Sequence, residues 1–178
     1  MGYVDRLLQE TPFETEWVSY EIHPERAPEG EPPTERFSPA DLRMIYGAFQ
    51  EKAARLGLSV VIPSMMANSR PAILAGEFAK DAGAFDAYHR AAFEAYFGRG
   101  VNIGLREEIL AVAAGAGLDP AALDEALDSG RHLPRLDENR RRAAASGVSA
   151  VPTFLTSDGV RVVGARSLDD LRRSLFRE

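Results

Sequence analysis

The residues best suited to form a binding site run from Gly147 to Phe154, in the order Gly-Val-Ser-Ala-Val-Pro-Thr-Phe. A glycine-led loop is followed there by a proline and then by β-branched and aromatic residues, which predicts a loop entering a strand. The chain contains no cysteine. Disulfides, thiolate metal sites and thiol catalysis are therefore excluded for these 178 residues.

The rest of the sequence shows no recognisable catalytic or metal-binding motif. The three histidines, His23, His89 and His132, lie far apart without ligand spacing, so we predict no metal site. No Gly-x-Ser-x-Gly, Walker or Gly-x-Gly-x-x-Gly motif occurs. His23 could be an acid–base group, because imidazole titrates near neutrality. Asn68, just before a predicted helix, could position a ligand. A structural role, such as capping that helix, is the competing interpretation.

Charge and hydropathy argue against two further classes of partner. The formal net charge is -6 and the pI is about 5.2, which disfavours a surface that follows nucleic-acid phosphates. No apolar run approaches the length of a membrane span, and the first residues, Met-Gly-Tyr-Val-Asp-Arg, hold no apolar signal core. We therefore expect a cytoplasmic protein that binds neither nucleic acid nor membrane.

The two ends of the chain show mixed helix and strand patterns. Residues 2–10 have helical spacing, with Val4, Leu7 and Leu8 on one face. Residues 13–22 alternate and are rich in aromatic and β-branched types, which predicts a strand. After Gly147, strands are predicted over 151–156 and 160–163 around a Ser-Asp-Gly turn, followed by a helix capped by Ser167.

The middle of the chain, residues 38–146, is predicted to be entirely helical. Ser38 suits a helix N-cap and Pro39 the first helical position, and Gly57 closes that helix. Glycines punctuate the remaining segments. Further helices are predicted over 70–81, 83–97, 105–114, 120–128 and 133–145.

Several short segments, taken in order along the chain, resemble the cytosolic DsbA-family proteins of the FrnE type. The segments are Tyr20–Pro24, Pro28–Gly30, Asn68–Arg70, Ala95–Phe97, Asn102–Gly104, Ala116–Asp119 and Gly147–Phe154. The resemblance implies an α/β chain, a thioredoxin-like fold with a large all-helical insertion. Residues 1–37 and 147–178 would form the thioredoxin-like domain, and residues 38–146 the insertion.

The same resemblance defines the expected site. In this family a Cys-x-x-Cys motif follows an opening β-strand, and we expect both to be missing from this chain, which matches the family from just beyond that motif. The Val151–Pro152 bond would be cis and would expose backbone groups of Val151 to a bound substrate. Val151 and Pro152 are thus the implied substrate-binding residues, with His23 and Asn68 as polar neighbours; no residue is predicted to be catalytic.

Three functions stay open at this stage. The first is a DsbA-like thiol–disulfide oxidoreductase whose substrate is a protein or small-molecule thiol or disulfide. The 178 residues alone would be inactive in this role, because they contain no cysteine. The second is a glutathione-dependent enzyme similar to 2-hydroxychromene-2-carboxylate isomerases and kappa-class glutathione transferases. The third is a non-catalytic binding module. Only the second uses a cofactor, glutathione. Strand edges left unpaired by the missing strand favour self-association, so a homodimer is an expected assembly.

We predict that the 178-residue chain neither reduces nor oxidises disulfides. The attacking species in thiol–disulfide exchange is a thiolate, and the chain has no thiol. Insulin reduction by purified, metal-free protein is the measurement, with a thioredoxin as positive control. Turnover above the uncatalysed rate would contradict the prediction.

Overall fold

The computed structural model describes residues 2–164 and 167–176, which are mostly helical. The helices are α1 (Gly2–Glu10), α2 (Pro39–Ala54), α3 (Arg70–Asp81), α4 (Phe85–Phe93), α5 (Arg106–Gly115), α6 (Pro120–Ser129), α7 (Leu133–Ala145) and α8 (Leu168–Phe176). A 3₁₀ turn (Pro33–Glu35) and a π-helical turn (Glu94–Gly98) complete them. The strands are β1 (Thr153–Leu155) and β2 (Arg161–Val163).

Local capping explains where the helices begin. Ser38 and Asp41 form a complete capping box at the start of α2, and Pro39 is the first helical residue, as predicted. At α6, the Asp119 carboxylate accepts hydrogen bonds from the backbone amides of Ala121 and Ala122. α1 and α3 to α7 begin and end within two residues of their predicted limits, except that 83–97 divides into α4 and the π-helical turn.

The described residues fall into two compact units. One consists of Met1–Ile22 with Asp137–Glu178, and the other of His23–Leu136. The first unit has a core of Leu7, Val162 and Leu171, each at most 4% exposed. Leu8, predicted on the buried face of α1, is 39% exposed. The second unit is larger, and its core joins α3, α4, α5 and α6.

These limits differ from the predicted domain limits at 37/38 and 146/147. Residues 23–37 belong to the helical unit because Glu31 and Met66 exchange backbone hydrogen bonds of 3.2 and 2.8 Å. Arg26 adds a bond to the carbonyl of Ala67 at 3.1 Å. The outer limits of the prediction, residues 1 and 178, lie outside the described residues.

The prediction of a strand over 13–22 is wrong. The segment has no regular secondary structure, and the period of two is lost: Phe13, Trp17 and Glu21 are less exposed than their immediate neighbours but lie four residues apart. It belongs to no ladder in the described part of the chain, where the only sheet is the β1–β2 pair. A strand requires a hydrogen-bonded neighbour, which residue propensity alone cannot supply.

Side chains of α7 contact this segment. Asn139 Nδ2 donates to Ser19 Oγ at 2.8 Å. Arg140 Nη2 donates to the Glu21 carboxylate at 3.2 Å, and the Glu21 side chain is only 1% exposed. Arg142 makes a bidentate pair with Glu16 at 2.8 and 3.0 Å. Polar side-chain contacts therefore fix a segment that has no backbone ladder.

We predict that Arg140→Ala lowers the free energy of unfolding by about 1–3 kcal/mol, because the buried Glu21 carboxylate loses a charge-assisted hydrogen bond. The matched control is Arg141→Ala. Arg141 is 70% exposed and pairs with Glu138 on its own helix, so its loss should cost no more than about 0.5 kcal/mol. Urea denaturation followed by circular dichroism measures both. Equal losses would show that the Arg140–Glu21 pair stabilises nothing.

Candidate functional site

The hairpin register determines which backbone groups of β1 remain available. Thr153 lies opposite Val163, Phe154 opposite Val162, and Leu155 opposite Arg161. Just outside the strands, the Gly164 amide donates to the Pro152 carbonyl at 2.8 Å, and the Thr156 amide to the Val160 carbonyl at 3.0 Å. Bonded and non-bonded pairs alternate in an antiparallel ladder. Residues 152, 154 and 156 therefore bond toward β2, and the backbone groups of Thr153 and Leu155 point to the opposite edge.

The other edge of β1 is open within the described residues, because the sheet contains only β1 and β2. Val151 precedes this edge, and no described residue hydrogen-bonds to its backbone amide or carbonyl. The peptide bond between Val151 and Pro152 is cis, the geometry that the family resemblance implies. Val151, Thr153 and Leu155 thus form a row of available backbone donors and acceptors, which we call the outer edge of β1.

The two faces of the hairpin differ in character. Phe154 and Val162 point to one face, where Val162 is 4% exposed in the core of its unit. Side chains alternate between faces along a strand. Thr153 and Leu155 therefore share the opposite face, on which Leu155 is 50% exposed. An apolar side chain thus borders the outer edge.

A tight turn positions the segment that leads into β1. Gly147 follows α7 with φ of +63°, a left-handed conformation that glycine adopts without steric cost. The Arg161 guanidinium donates to the Gly147 carbonyl at 2.9 Å. A Cβ atom at Gly147 would lie 2.7 Å from Arg161 Nη1. At the other end of the segment, the Thr153 hydroxyl donates to the Ala150 carbonyl at 2.6 Å.

His23 and Asn68 both belong to the helical unit, whereas Val151 and Pro152 belong to the other unit. His23 Nδ1 lies 3.1 Å from Glu25 Oε1, and its side chain is 42% exposed. A backbone hydrogen bond and then the His23 imidazole hold the pKa of the Glu25 carboxyl below its ordinary value. These contacts describe a loop histidine beside a carboxylate.

Asn68 is engaged on both sides of its amide group. Its Nδ2 donates to the Arg26 carbonyl at 2.6 Å, and its Oδ1 accepts from the Arg70 amide at 3.0 Å. A Cβ atom at Gly104 would lie 3.0 Å from the Asn68 carbonyl oxygen, so a third loop packs closely here. Asn68 is 8% exposed. Its contacts join loops, and they leave its polar atoms little capacity to hold a ligand.

Within the described residues, metal-ligating side chains do not cluster. In the ranges 2–164 and 167–176 no group of three or more histidine, aspartate or glutamate residues could hold a metal ion. Over the same residues, no helix has the length and apolar character needed to cross a membrane.

The groups that sequence analysis misses at the outer edge of β1 are the backbone groups of Thr153 and Leu155. Strand alternation over 151–156 is the signal from which they could be inferred, once the pairing partner is known.

Comparison with known proteins agrees with this architecture. The family model described as "DSBA-like thioredoxin domain" matches residues 3–176. The chain belongs to this DsbA-like family. It is 26% identical over 168 residues to the uncharacterized protein YwbO of Bacillus subtilis (strain 168), covering 93% of this chain and 82% of that protein.

A solved structure supports the fold independently. The crystal structure of probable DsbA oxidoreductase SCO1869 from Streptomyces coelicolor superposes with a TM-score of 0.91, at 20% sequence identity. The match covers 99% of this chain and 81% of that one. The predicted thioredoxin-like fold with a helical insertion is thereby confirmed. Within that DsbA-like fold, the Gly147–Phe154 segment forms the turn, the cis bond and the start of β1.

We predict that Gly147→Ala destabilises the protein by about 1–2 kcal/mol, because a side chain disfavours the left-handed conformation and would meet Arg161. Gly115→Ala is the matched control, since its Cβ atom would have no neighbour within 4 Å. That change should be neutral or stabilise the helix by up to about 1 kcal/mol. Thermal unfolding compares the two variants. A Gly147→Ala protein as stable as wild type would refute the proposed constraint on this turn.

Proposed function

We propose that this chain is the substrate-docking part of a DsbA-like thiol–disulfide oxidoreductase. On this proposal, the outer edge of β1 pairs with an extended segment of the substrate. The observation that carries the proposal is the open row of backbone groups at Val151, Thr153 and Leu155, beside the cis Val151–Pro152 bond. Membership of the DsbA-like family and the likeness to a probable DsbA oxidoreductase support it.

An open strand edge is suited to recognise polypeptide by its backbone. A peptide that lies antiparallel or parallel to β1 can offer its own amides and carbonyls to those of Thr153 and Leu155. Such pairing is independent of the peptide's side chains. This tolerance fits a protein that acts on many disulfide-containing chains.

The exposed apolar side chains beside the edge add a preference. Val151 is 41% exposed and Leu155 50% exposed. A peptide paired with the edge would cover part of this apolar surface, with a gain of about 25 cal/mol per Å² buried. We therefore expect peptides with Val, Leu or Phe near their cysteine to bind more tightly than peptides with polar residues there.

The redox step itself needs a group that these residues lack. In thiol–disulfide exchange, a thiolate attacks one sulfur of a disulfide, a mixed disulfide forms, and the other sulfur leaves as a thiolate. The chain contains no thiol to begin that step. Its part in the reaction is to hold the substrate sulfur in position, and proximity of that kind is a large component of catalysis in general.

We predict that Leu155→Pro weakens peptide binding about threefold to tenfold, the loss expected for one hydrogen bond. Proline removes the Leu155 amide, which points away from β2, and leaves the β1–β2 bonds in place. Leu155→Val keeps the amide and is the matched control. The probe is a fluorescein-labelled apolar peptide with a central S-methylated cysteine, and binding is followed by fluorescence anisotropy.

Amide chemical shifts identify the paired edge directly. Peptide addition should shift the amides of Thr153 and Leu155 more than those of Phe154 and Val162, which face each other. Equal affinity of the proline and valine variants, or shifts confined to β2, would refute the proposal. Reduced glutathione forms a second arm of the titration. Saturable binding of glutathione at the same amides without any peptide binding would assign the edge to the glutathione-dependent function.

A further inference from the structure

The helical unit contains an apolar cavity that the edge of β1 does not involve. Its volume is about 300 Å³, and it lies among the 3₁₀ turn, α2 and the π-helical turn. Aromatic and branched apolar side chains line it, including Phe37, Ile45, Phe49 and Phe97. This volume is at the lower end of the range of about 300–1,000 Å³ typical of small-molecule sites.

The sequence of α2 creates the open side of the cavity. Leu42, Ile45, Phe49 and Ala53 follow one another at helical spacing and form a single apolar stripe. The two ends of the stripe are buried, with Leu42 and Ala53 each 6% exposed. Its middle is uncovered, because Ile45 is 46% exposed and Phe49 is 41% exposed. The middle of the apolar stripe, which borders the cavity, is therefore not covered by other described parts of the chain.

The π-helical turn supplies the opposite wall. It continues from α4 over Glu94–Gly98, and π-helical turns inside helices often occur at functional sites. Phe97 on this turn meets Phe49 edge to face, with ring centroids 5.6 Å apart and an interplanar angle of 85°. The Phe97 carbonyl accepts from the Val61 amide at 2.8 Å. A ligand ring beside this pair would find both a face and an edge to contact.

The lining determines the charge of a suitable ligand. Among the described residues that line the cavity, none is charged, and the Tyr46 hydroxyl is the one polar side-chain group. An ion placed there would lose hydration without gaining a partner. Burial raises the pKa of Tyr46 above its ordinary value, with a further contribution from Tyr96. The hydroxyl therefore keeps its proton and can donate it to an acceptor.

We propose that this cavity binds a neutral aromatic molecule of one or two rings that carries one hydrogen-bond acceptor. The cavity volume limits the size of the ligand, and the uncharged aromatic walls favour a ligand that is neutral and aromatic. Tyr46 provides the single hydrogen-bond donor for the acceptor on the ligand. The proposal is independent of peptide docking at β1, which involves a different unit of the chain.

The probe is the neutral naphthyl ketone prodan, whose emission shifts to the blue in apolar surroundings. We expect saturable binding at one site per chain. Ile45→Glu places a charge in the cavity at a half-exposed position and should weaken binding at least tenfold. Met44→Glu is the matched control, since Met44 is 69% exposed on the same helix and does not line the cavity; its affinity should equal that of wild type.

Two further measurements test the hydrogen bond from Tyr46 and the preference for a neutral ligand. Tyr46→Phe should weaken prodan binding about threefold to tenfold and leave the binding of naphthalene, which has no acceptor, unchanged. An anionic naphthalene sulfonate should bind at least tenfold more weakly than prodan. Circular dichroism and thermal unfolding establish that each variant is folded.

Five outcomes would overturn the proposal. The first two are absence of saturable prodan binding and equal prodan affinities of the Ile45→Glu and Met44→Glu proteins. The third is tighter binding of the anionic probe than of prodan. The fourth is displacement of prodan by a phenylalanine-containing peptide at a lower concentration than by naphthalene. A fifth is a fall in prodan affinity at higher protein concentration together with dimers in sedimentation that Ile45→Glu abolishes. That result would mean that a second copy of the chain covers the cavity.

Discussion

The antiparallel register of the β1–β2 hairpin determines what the Gly147–Phe154 segment can do. Each residue of an antiparallel strand directs its amide and carbonyl to one edge only, and the direction alternates along the strand. Once Pro152 bonds to Gly164, the groups of Thr153 and Leu155 must face the other edge. The same register turns Phe154 inward, to the core formed with Val162 and Leu171. The packing of Phe154 and the availability of the outer edge are therefore fixed by one set of hydrogen bonds.

Residues 13–22 show how side chains can replace a ladder. Ser19 and Glu21 point to α7 and bind Asn139 and Arg140 there. Asn139 is 5% exposed and Glu21 8% exposed, so these are buried polar groups whose loss of hydration requires compensating partners. Apolar alternation alone would let such a segment slip along its partner. Matched donors and acceptors allow fewer registers, because a shifted segment would leave a buried carboxylate unpaired.

Local patterns predicted most of the helices, and tertiary contacts account for the errors. The capping box at Ser38 and the Asp119-Pro120 start are properties of adjacent residues, so sequence reveals them. Residues 13–22 look like a strand because their types suit one, but ladder formation depends on a neighbour elsewhere in the chain. Asn68 was correctly associated with the start of α3, yet its second bond, to Arg26, is 42 residues away in sequence. Such long-range bonds, like the gap in the cover of α2, have no local signature.

The outer edge of β1 is also invisible in residue types, for a different reason. Its donors and acceptors belong to the backbone, so any sequence that formed this hairpin would present them. Selectivity must then come from what surrounds the edge. A turn that brings Gly147 close to Arg161 positions the loop before β1, and the exposed apolar side chains of Val151 and Leu155 border the edge. If the edge pairs with peptide as we propose, the backbone bonds would give a broad range of substrates and these flanking groups a modest preference among them. That combination would suit recognition of unfolded chains, which share a backbone and expose apolar residues, better than recognition of one defined small molecule.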